Sequence, residues 1–370
     1  MIESLYQQWY FGRPDLAKHI FSLLVDGPGD PLALIGERRI GKTSHLRSEL
    51  CQEARSRKFL PVYIDIQQHR SNPLAAIAYA LDEAIDDVTV PGTAVGKRLK
   101  TAVKKIGGGG ISIDLGEEPT RRRPTDPYLL IDWLLKELLR VAGQPVLLIF
   151  DEIQELATAS DSDNVVAALR SAITKSKQRI RVVFTGSSEI KLMELFSRSR
   201  AALYEGASTI AFPHLDDSFL QFMMVRSKAR FKRSASMEEL RVAFDRLHHR
   251  PRALIDLVIL HASSDESKLL DVLDLGVMAQ LSDQDFNTQW AQLTPLQQRI
   301  CLRISQGNDV SSAEARTYYA KETRRTEIPA GTVGHALRAL VTNHVMANTG
   351  RGLYRLDDPL FAEWIRKMIV

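Results

Sequence analysis

Apolar residues follow two patterns along this chain. Short, mainly apolar runs occur at Leu32-Ala33-Leu34-Ile35, at Val62 to Ile66 within Pro61–Ile66, at Val146-Leu147-Leu148-Ile149-Phe150, at Val182-Val183-Phe184 and at Thr209 to Phe212. Such runs suit strands buried on both faces. Between them apolar residues recur every three or four positions: Leu16, Ile20, Leu23 and Leu24; Leu46, Leu50 and Ala54; Leu74, Ile77, Leu81 and Ile85; a long helix over 127–142; and Val165, Leu169, Ala172 and Ile173. That spacing places them on one face of a helix. Strands alternating with helices predict an α/β fold with a parallel sheet.

From Leu215 the pattern is helical only, with helices expected over about 216–230, 237–248, 252–263 and 266–281. Residues 282–293 read as a polar linker anchored by Phe286 and Trp290. The remainder has its own order. Pro295 opens a helix that Gly307 ends, Ala313–Tyr319 forms a second, and a third buries Val333, Leu337, Leu340 and Val341. A hairpin follows from Val345-Met346-Ala347 to Leu353-Tyr354-Arg355-Leu356, with Asn348 to Gly352 as its turn. A closing helix, Pro359 to Met368, carries Phe361, Trp364 and Ile365. Three helices and a hairpin in that order predict a winged helix-turn-helix. The expected division is a core over 1–214, a helical segment over 215–290 and a winged-helix domain over 291–370.

Charge changes this picture in two places. The net charge is +4, and residues 294–370 alone hold nine Arg and two Lys against seven Asp or Glu, an excess as large as the whole chain's. Residues 86–127 carry Lys97, Arg98, Lys100, Lys104, Lys105 and Arg121 to Arg123 around Gly107 to Gly110. They read as a basic insertion, either a solvated loop or a contact for nucleic acid or a neighbouring subunit. The 44% hydrophobic content is that of a folded globular protein, so the 370 residues can build two or three cored domains. The cysteines, Cys51 and Cys301, lie far apart inside expected helices and read as reduced. No export signal or membrane-length apolar run is evident, so a cytoplasmic protein without membrane insertion is expected.

The chemistry centres on Gly36-Glu37-Arg38-Arg39-Ile40-Gly41-Lys42-Thr43-Ser44, which fits G-x-x-x-x-G-K-[ST]. A strand before it and a helix after it make an anion site, because backbone N–H groups and the helix dipole both face the ligand. Lys42 is expected to reach the β- and γ-phosphates of a nucleotide, and the Thr43 hydroxyl to ligate Mg²⁺. Asp151 and Glu152 end the apolar run at Phe150. Asp151 is expected to hold Mg²⁺, and Glu152 to orient the attacking water. Ser187, past the strand 181–186, is either a γ-phosphate sensor or a helix N-cap. Arg252, after Pro251, either folds back over the phosphates or is solvated. Arg198 and Arg200 are candidates to reach a neighbour's nucleotide.

With Phe11-Gly12-Arg13, the GERRIGKTS loop, the LLIFDE strand and Phe184-Thr185-Gly186-Ser187-Ser188, residues 10–260 resemble the AAA+ ATPases of the STAND type, nearest the archaeal ATPase branch related to origin-recognition initiators. The resemblance implies that Phe11, Gly12 and Arg13 pack against adenine. It implies ATP or ADP as nucleotide, residues 215–285 as a helical lid, and a nucleotide-dependent homo-oligomer. Two departures stand out. Ala202-Leu203-Tyr204-Glu205-Gly206 carries no arginine where the branch often has one. His249-Arg250-Pro251-Arg252 lacks the usual glycine before the proline.

The third winged-helix element would present Thr332, His335 and Arg338 to a DNA major groove. Lys321, Arg324 and Arg325 before it and Arg351 on the wing would contact phosphates. Two functions therefore stand side by side. One is an ATP-hydrolysing switch that binds DNA and controls assembly of a DNA-associated complex. The other is a nucleotide-gated protein-interaction scaffold in signalling or defence.

Overall fold

A computed structural model describes residues 7–27, 30–69, 72–89, 123–158, 161–186, 207–274, 286–343, 345–350 and 352–368. Ser187, Arg198, Arg200, residues 202–206, Arg351 and most of the basic insertion (90–122) lie outside the described residues. The chain forms two compact units, Gly12–Pro213 and a second made of Met1–Phe11 with His214–Val370.

In the first unit, β1 (Leu32–Ile35), β2 (Leu60–Asp65), β3 (Val146–Asp151), β4 (Ile180–Gly186) and β5 (Ser208–Ala211) form one sheet in the order β2-β3-β4-β1-β5. Every pairing is parallel, and β4 lies between β1 and β3. Every residue of central β3 is buried, whereas β5 at the edge is mostly exposed. The reason is the pleat. Val146, Leu148 and Phe150 face one way into a core with α4 (Pro73–Thr89), α5 (Pro127–Ala142) and α6 (Ser162–Lys175). Leu147 and Ile149 face the other way, towards α1 (Pro14–Val25) and the helix after the phosphate-type loop. That helix runs as α2 (Lys42–His45), a π-helical stretch (Leu46–Leu50) and α3 (Cys51–Ser56), and Leu46, Leu50 and Ala54 are fully buried.

Three boundaries differ from the sequence reading. Residues 86–89 are the last turn of α4, so the insertion starts later than 86. Leu23 is 36% exposed, at the margin of the α1 core face. Asp151 is the final strand residue rather than a loop residue.

The second unit contains α7 (Asp217–Phe231), α8 (Met237–Arg246), α9 (Pro251–Ser263), α10 (Leu269–Asp274), α11 (Phe286–Ala291), α12 (Pro295–Ser305), α13 (Ala313–Glu322), α14 (Ala330–Thr342), the antiparallel hairpin β6 (Met346–Gly350) and β7 (Leu353–Leu356), and α15 (Pro359–Met368). A capping box, Thr294 with Gln297, starts α12, and Gly307 turns left-handed two residues past its end. The stretch read as a polar linker includes helix α11. Its Phe286 is fully buried against Phe361 and Trp364, and Trp290 packs on the same two rings. One hydrophobic core runs from Phe219 and Leu254 to Leu340 and Trp364, so no gap in packing falls near 290. Trp9 and Phe11 also join this core. Trp9 stacks on Phe231, and Phe11 meets Phe219 and Phe222. Cys51 and Cys301 are buried free thiols; burial pushes the Cys301 thiol up to about 12. Among the described residues no helix is long and apolar enough to cross a membrane.

Candidate functional site

The site forms at the carboxyl ends of β1 and β3, which flank β4 on either side. After Ile35 the chain turns through Gly36 to Gly41. A Cβ on Gly36 would stand 2.9 Å from Ile40 Cδ1 and 3.1 Å from Phe212 Cβ, so the close approach there needs glycine. Gly41 has φ +94°, a left-handed value that costs other residues about 1–2 kcal/mol. Arg39 is also left-handed, at φ 67°. Residues of that hand build the concave backbone of anion nests. The His45 N–H then donates to Gly41 O at 3.1 Å, and the helix begins.

Lys42 is 5% exposed, and its Nζ donates to Gly36 O at 2.5 Å and Glu37 O at 2.6 Å. Burial lowers its ammonium pKa, and the negative charges of Glu152 and Asp151 pull it back up. A buried ammonium held only by carbonyls is poised to exchange them for anionic oxygens, which would relieve the cost of burial.

Asp151 is the hub. It is 3% exposed and accepts from three hydroxyls. Thr43 Oγ1 donates to its Oδ2 at 2.7 Å, Tyr63 Oη donates to the same oxygen at 2.5 Å, and Thr185 Oγ1 donates to Oδ1. Thr185 also accepts from the Glu152 N–H at 3.3 Å. Glu152 is left-handed, at φ 55°, and its carboxylate accepts from Gln154 Nε2. Parallel pairing of β2 with β3 sets Tyr63 beside Ile149 and so brings its hydroxyl to Asp151. Burial and the Asp151 charge raise the Tyr63 pKa, which keeps the phenol a donor. The Arg47 guanidinium lies 4.2 Å from the centre of the Tyr63 ring.

At the rim of the loop, the Arg13 guanidinium lies 4.3 Å from the centre of the Phe212 ring and donates to Pro213 O at 2.8 Å. A Cβ on Gly41 would be 3.6 Å from one of its nitrogens. The Arg13 N–H donates to Glu49 Oε1 at 2.9 Å, which ties the segment before α1 to the loop helix. His45 is buried beside Phe212, with ring centres 5.5 Å apart.

Residues 11–257 match the protein family described as an ATPase domain predominantly from Archaea. The chain belongs to this ATPase family. Its fold is that of the P-loop AAA+ ATPases. A Walker-type ATPase of Pyrococcus abyssi is similar over 96% of both chains, with 18% identity and a TM-score of 0.59. The Orc2 protein of Aeropyrum pernix, solved with ADPNP and ADP, is similar over 96% of this ATPase chain and 92% of its own, with 15% identity and a TM-score of 0.53. The Orc1 protein of the same organism, solved in complex with DNA, covers 95% and 91% with 16% identity and a TM-score of 0.51. No curated protein matches the sequence.

In this ATPase, the structure brings together Gly36 to Ser44, Asp151, Glu152 and Arg13 in one unit. Phe11 belongs to the other unit, so the Phe11-Gly12-Arg13 stretch is divided between them. Arg252 also belongs to the second unit, on α9, 4.0 Å from Asp256. Sequence reasoning missed Thr185 and Tyr63. Thr185 had a signal: it is a hydroxyl inside a buried apolar strand, where an unpaired polar group is costly. Tyr63 had none, because an aromatic residue in a strand reads as packing. Replacing Tyr63 by Phe is expected to lower folding stability by about 1.5–3 kcal/mol, the usual worth of a hydrogen bond to a charged group. Urea melts of the two proteins measure it, and an unchanged midpoint would show that water replaces the phenol at no cost.

Proposed function

We propose that the chain is an ATP-hydrolysing molecular switch of the STAND type that binds DNA through a C-terminal winged helix and controls assembly of a DNA-associated complex. The observation that carries the nucleotide part is the 2.7 Å hydrogen bond from Thr43 to Asp151, which joins the phosphate-type loop to the acidic end of β3. Two hard oxygens at that spacing suit Mg²⁺, which prefers one or two protein oxygens together with substrate phosphates. Bound there, Mg²⁺ would neutralise charge on the β- and γ-phosphate oxygens.

The chain's own residues divide the remaining work. Lys42 would trade its two carbonyl partners for phosphate oxygens, and the N–H groups of Gly41 to Ser44 would hold the phosphates. Arg13, beside Gly41, would guard the open edge of the site. Thr185 holds both acidic residues, one through its donor and one through its acceptor, so it would report the γ-phosphate to β4. This assigns Thr185 the sensing role expected at Ser187. ATP or ADP is the nucleotide that family membership favours, and a nucleotide-dependent homo-oligomer is the expected assembly.

The DNA part rests on α12 to β7, which follow the winged-helix order. Val333, Leu337 and Leu340 are buried on one face of α14, while His335 and Arg338 are exposed and Thr332 is half-buried. Lys321, Arg324 and Arg325 are exposed just before it, and with Arg338 they make no ion pair among the described residues. Cations left unneutralised on one surface suit phosphates. The Aeropyrum pernix Orc1 protein, of similar fold, was solved with DNA, which favours the same reading.

The test combines phosphate release with a salt-dependent mobility shift. The natural chain should hydrolyse ATP only with Mg²⁺ and bind duplex DNA. Replacing Arg324 and Arg338 by Ala should weaken binding on every sequence and flatten the slope of log K against log salt by about 2. A chain that hydrolyses ATP yet has no DNA affinity at low salt would leave the protein-interaction scaffold as the function.

A further inference from the structure

A second cationic surface lies on the first unit, at the opposite ends of the strands from the nucleotide site. The turn between α6 and β4 reads Lys175-Ser176-Lys177-Gln178-Arg179-Ile180-Arg181, with a cation at every other position. These four side chains, with Gln178 and Leu139, line a groove of about 730 Å³. The turn is held firmly: the Arg179 N–H donates to Ser176 O at 3.0 Å, and Arg179 O accepts from the Val146 N–H at 2.9 Å. The groove thus sits at the amino-terminal ends of β3 and β4, whereas the phosphate-type loop, Asp151 and Thr185 lie at the carboxyl ends. Roughly 20 Å of strand separates them, so the groove is no part of the nucleotide site.

Its charge is poorly balanced. Lys175 reaches Asp132 at 3.5 Å, but that carboxylate is already taken by Lys136 at 2.6 Å. Lys177 reaches Asp30 at 3.4 Å. Among the described residues the Arg179 side chain meets the carbonyl of Gln144, at 3.5 Å, and Arg181 is fixed by carbonyls, Leu24 O at 2.8 Å and Ile180 O at 3.0 Å among them. Among the described residues, none that lines the groove is acidic. Clustered like charges raise the local concentration of an anion and hold it by release of counterions. Among the described residues the lining contains no aromatic ring, and Leu139 is its one large apolar residue. Base stacking and the apolar anchors of a protein interface are therefore missing, while ammonium, guanidinium, hydroxyl and amide donors remain.

We propose that this groove binds the phosphodiester backbone of a nucleic acid, without regard to sequence, as a contact separate from the C-terminal one. Lys175, Lys177 and Arg179 supply the exposed charges. Arg181 holds the turn in place.

The experiment uses the full chain with Lys175, Lys177 and Arg179 all replaced by Gln, leaving Arg181 intact. Binding to a fluorescent DNA duplex is measured between about 50 and 200 mM salt, alone and combined with the Arg324→Ala, Arg338→Ala change. Removing three phosphate contacts should lower the salt slope by about 2.7 and weaken binding at least tenfold at low salt, equally on unrelated sequences. ATP hydrolysis without DNA and the melting midpoint should stay at the parental values. An unchanged slope and affinity overturns the proposal, as does a parent that binds no DNA. Displacement of DNA by inorganic tripolyphosphate at equal phosphate concentration would make this a small-anion site, and equal displacement by polyglutamate would make it a site for an acidic protein; either overturns it. The two contacts are told apart by the combined variant. If only the Gln variant weakens binding, the groove stands and the C-terminal reading falls; the reverse result sinks the groove alone.

Discussion

Glu152→Gln is expected to bind ATP as the natural chain does and to hydrolyse it about 10²–10⁴-fold more slowly, the usual contribution of a positioned general base. The residue stands one place beyond β3 in a left-handed conformation, with its N–H held by Thr185 Oγ1 at 3.3 Å. Its carboxylate accepts from Gln154 Nε2, whereas Asp151 accepts from three hydroxyls, so the two carboxylates have different partners and can do different work. Glutamine keeps the length and the neighbouring amide of Gln154 but cannot draw a proton from water. Asp151→Asn should behave differently: it disturbs the contacts of Thr43, Tyr63 and Thr185 together, so nucleotide affinity and folding should both suffer. Equilibrium binding of a fluorescent nucleotide and single-turnover phosphate release separate the two variants. Parental hydrolysis by Glu152→Gln would remove Glu152 from the chemistry.

Arg250→Ala and Asp358→Ala are expected to destabilise the second unit by about 3–5 kcal/mol each, because either removes one half of a buried ion pair. Arg250 and Asp358 are 5% and 8% exposed, and Arg250 Nη1 stands 2.7 Å from Asp358 Oδ1. The Asp358 carboxylate also accepts from the Leu360 N–H at 2.9 Å, at the start of α15. Asp358→Ala should therefore cost about 1 kcal/mol more than Arg250→Ala, the usual worth of an N-cap. The double variant should cost less than the sum of the two, since the pair can be lost only once. Urea melts followed by tryptophan emission read the effect well, because Trp9, Trp290 and Trp364 share this unit's core. Additive single effects would show that the pair is not coupled. The pair also joins the start of α9, in the segment read as a lid, to the start of α15, so both segments should melt in one transition.

Much of this architecture was legible from the order of apolar residues. The run Val146 to Phe150 announced a strand covered on both faces, and helices pack on each side of it. Pro359 to Met368 was visible as a helix because Phe361, Trp364 and Ile365 share a face. The linker expected over 282–293 was misread because a six-residue helix, Phe286–Ala291, is too short for periodicity to register. A chain segment can look polar and still carry, in Phe286 and Trp290, the rings that continue a core.

The glycine-bounded loop, Lys42, Thr43 and the Asp151-Glu152 pair needed no structure to be found, since backbone anion sites and carboxylates at strand ends depend on local spacing. What only the tertiary structure decided is how the acidic centre is wired. Tyr63 and Thr185 reach Asp151 from two different strands: parallel register sets Thr185 level with the end of β3, and Tyr63, beside Ile149, spans the remaining two residues with its long ring. Arg13 reaches the loop through Glu49 and Phe212, residues 36 and 199 positions away along the chain. Local sequence determines which groups are present and which element carries them. Sheet order and register, set by burial of whole faces, determine which of those groups meet.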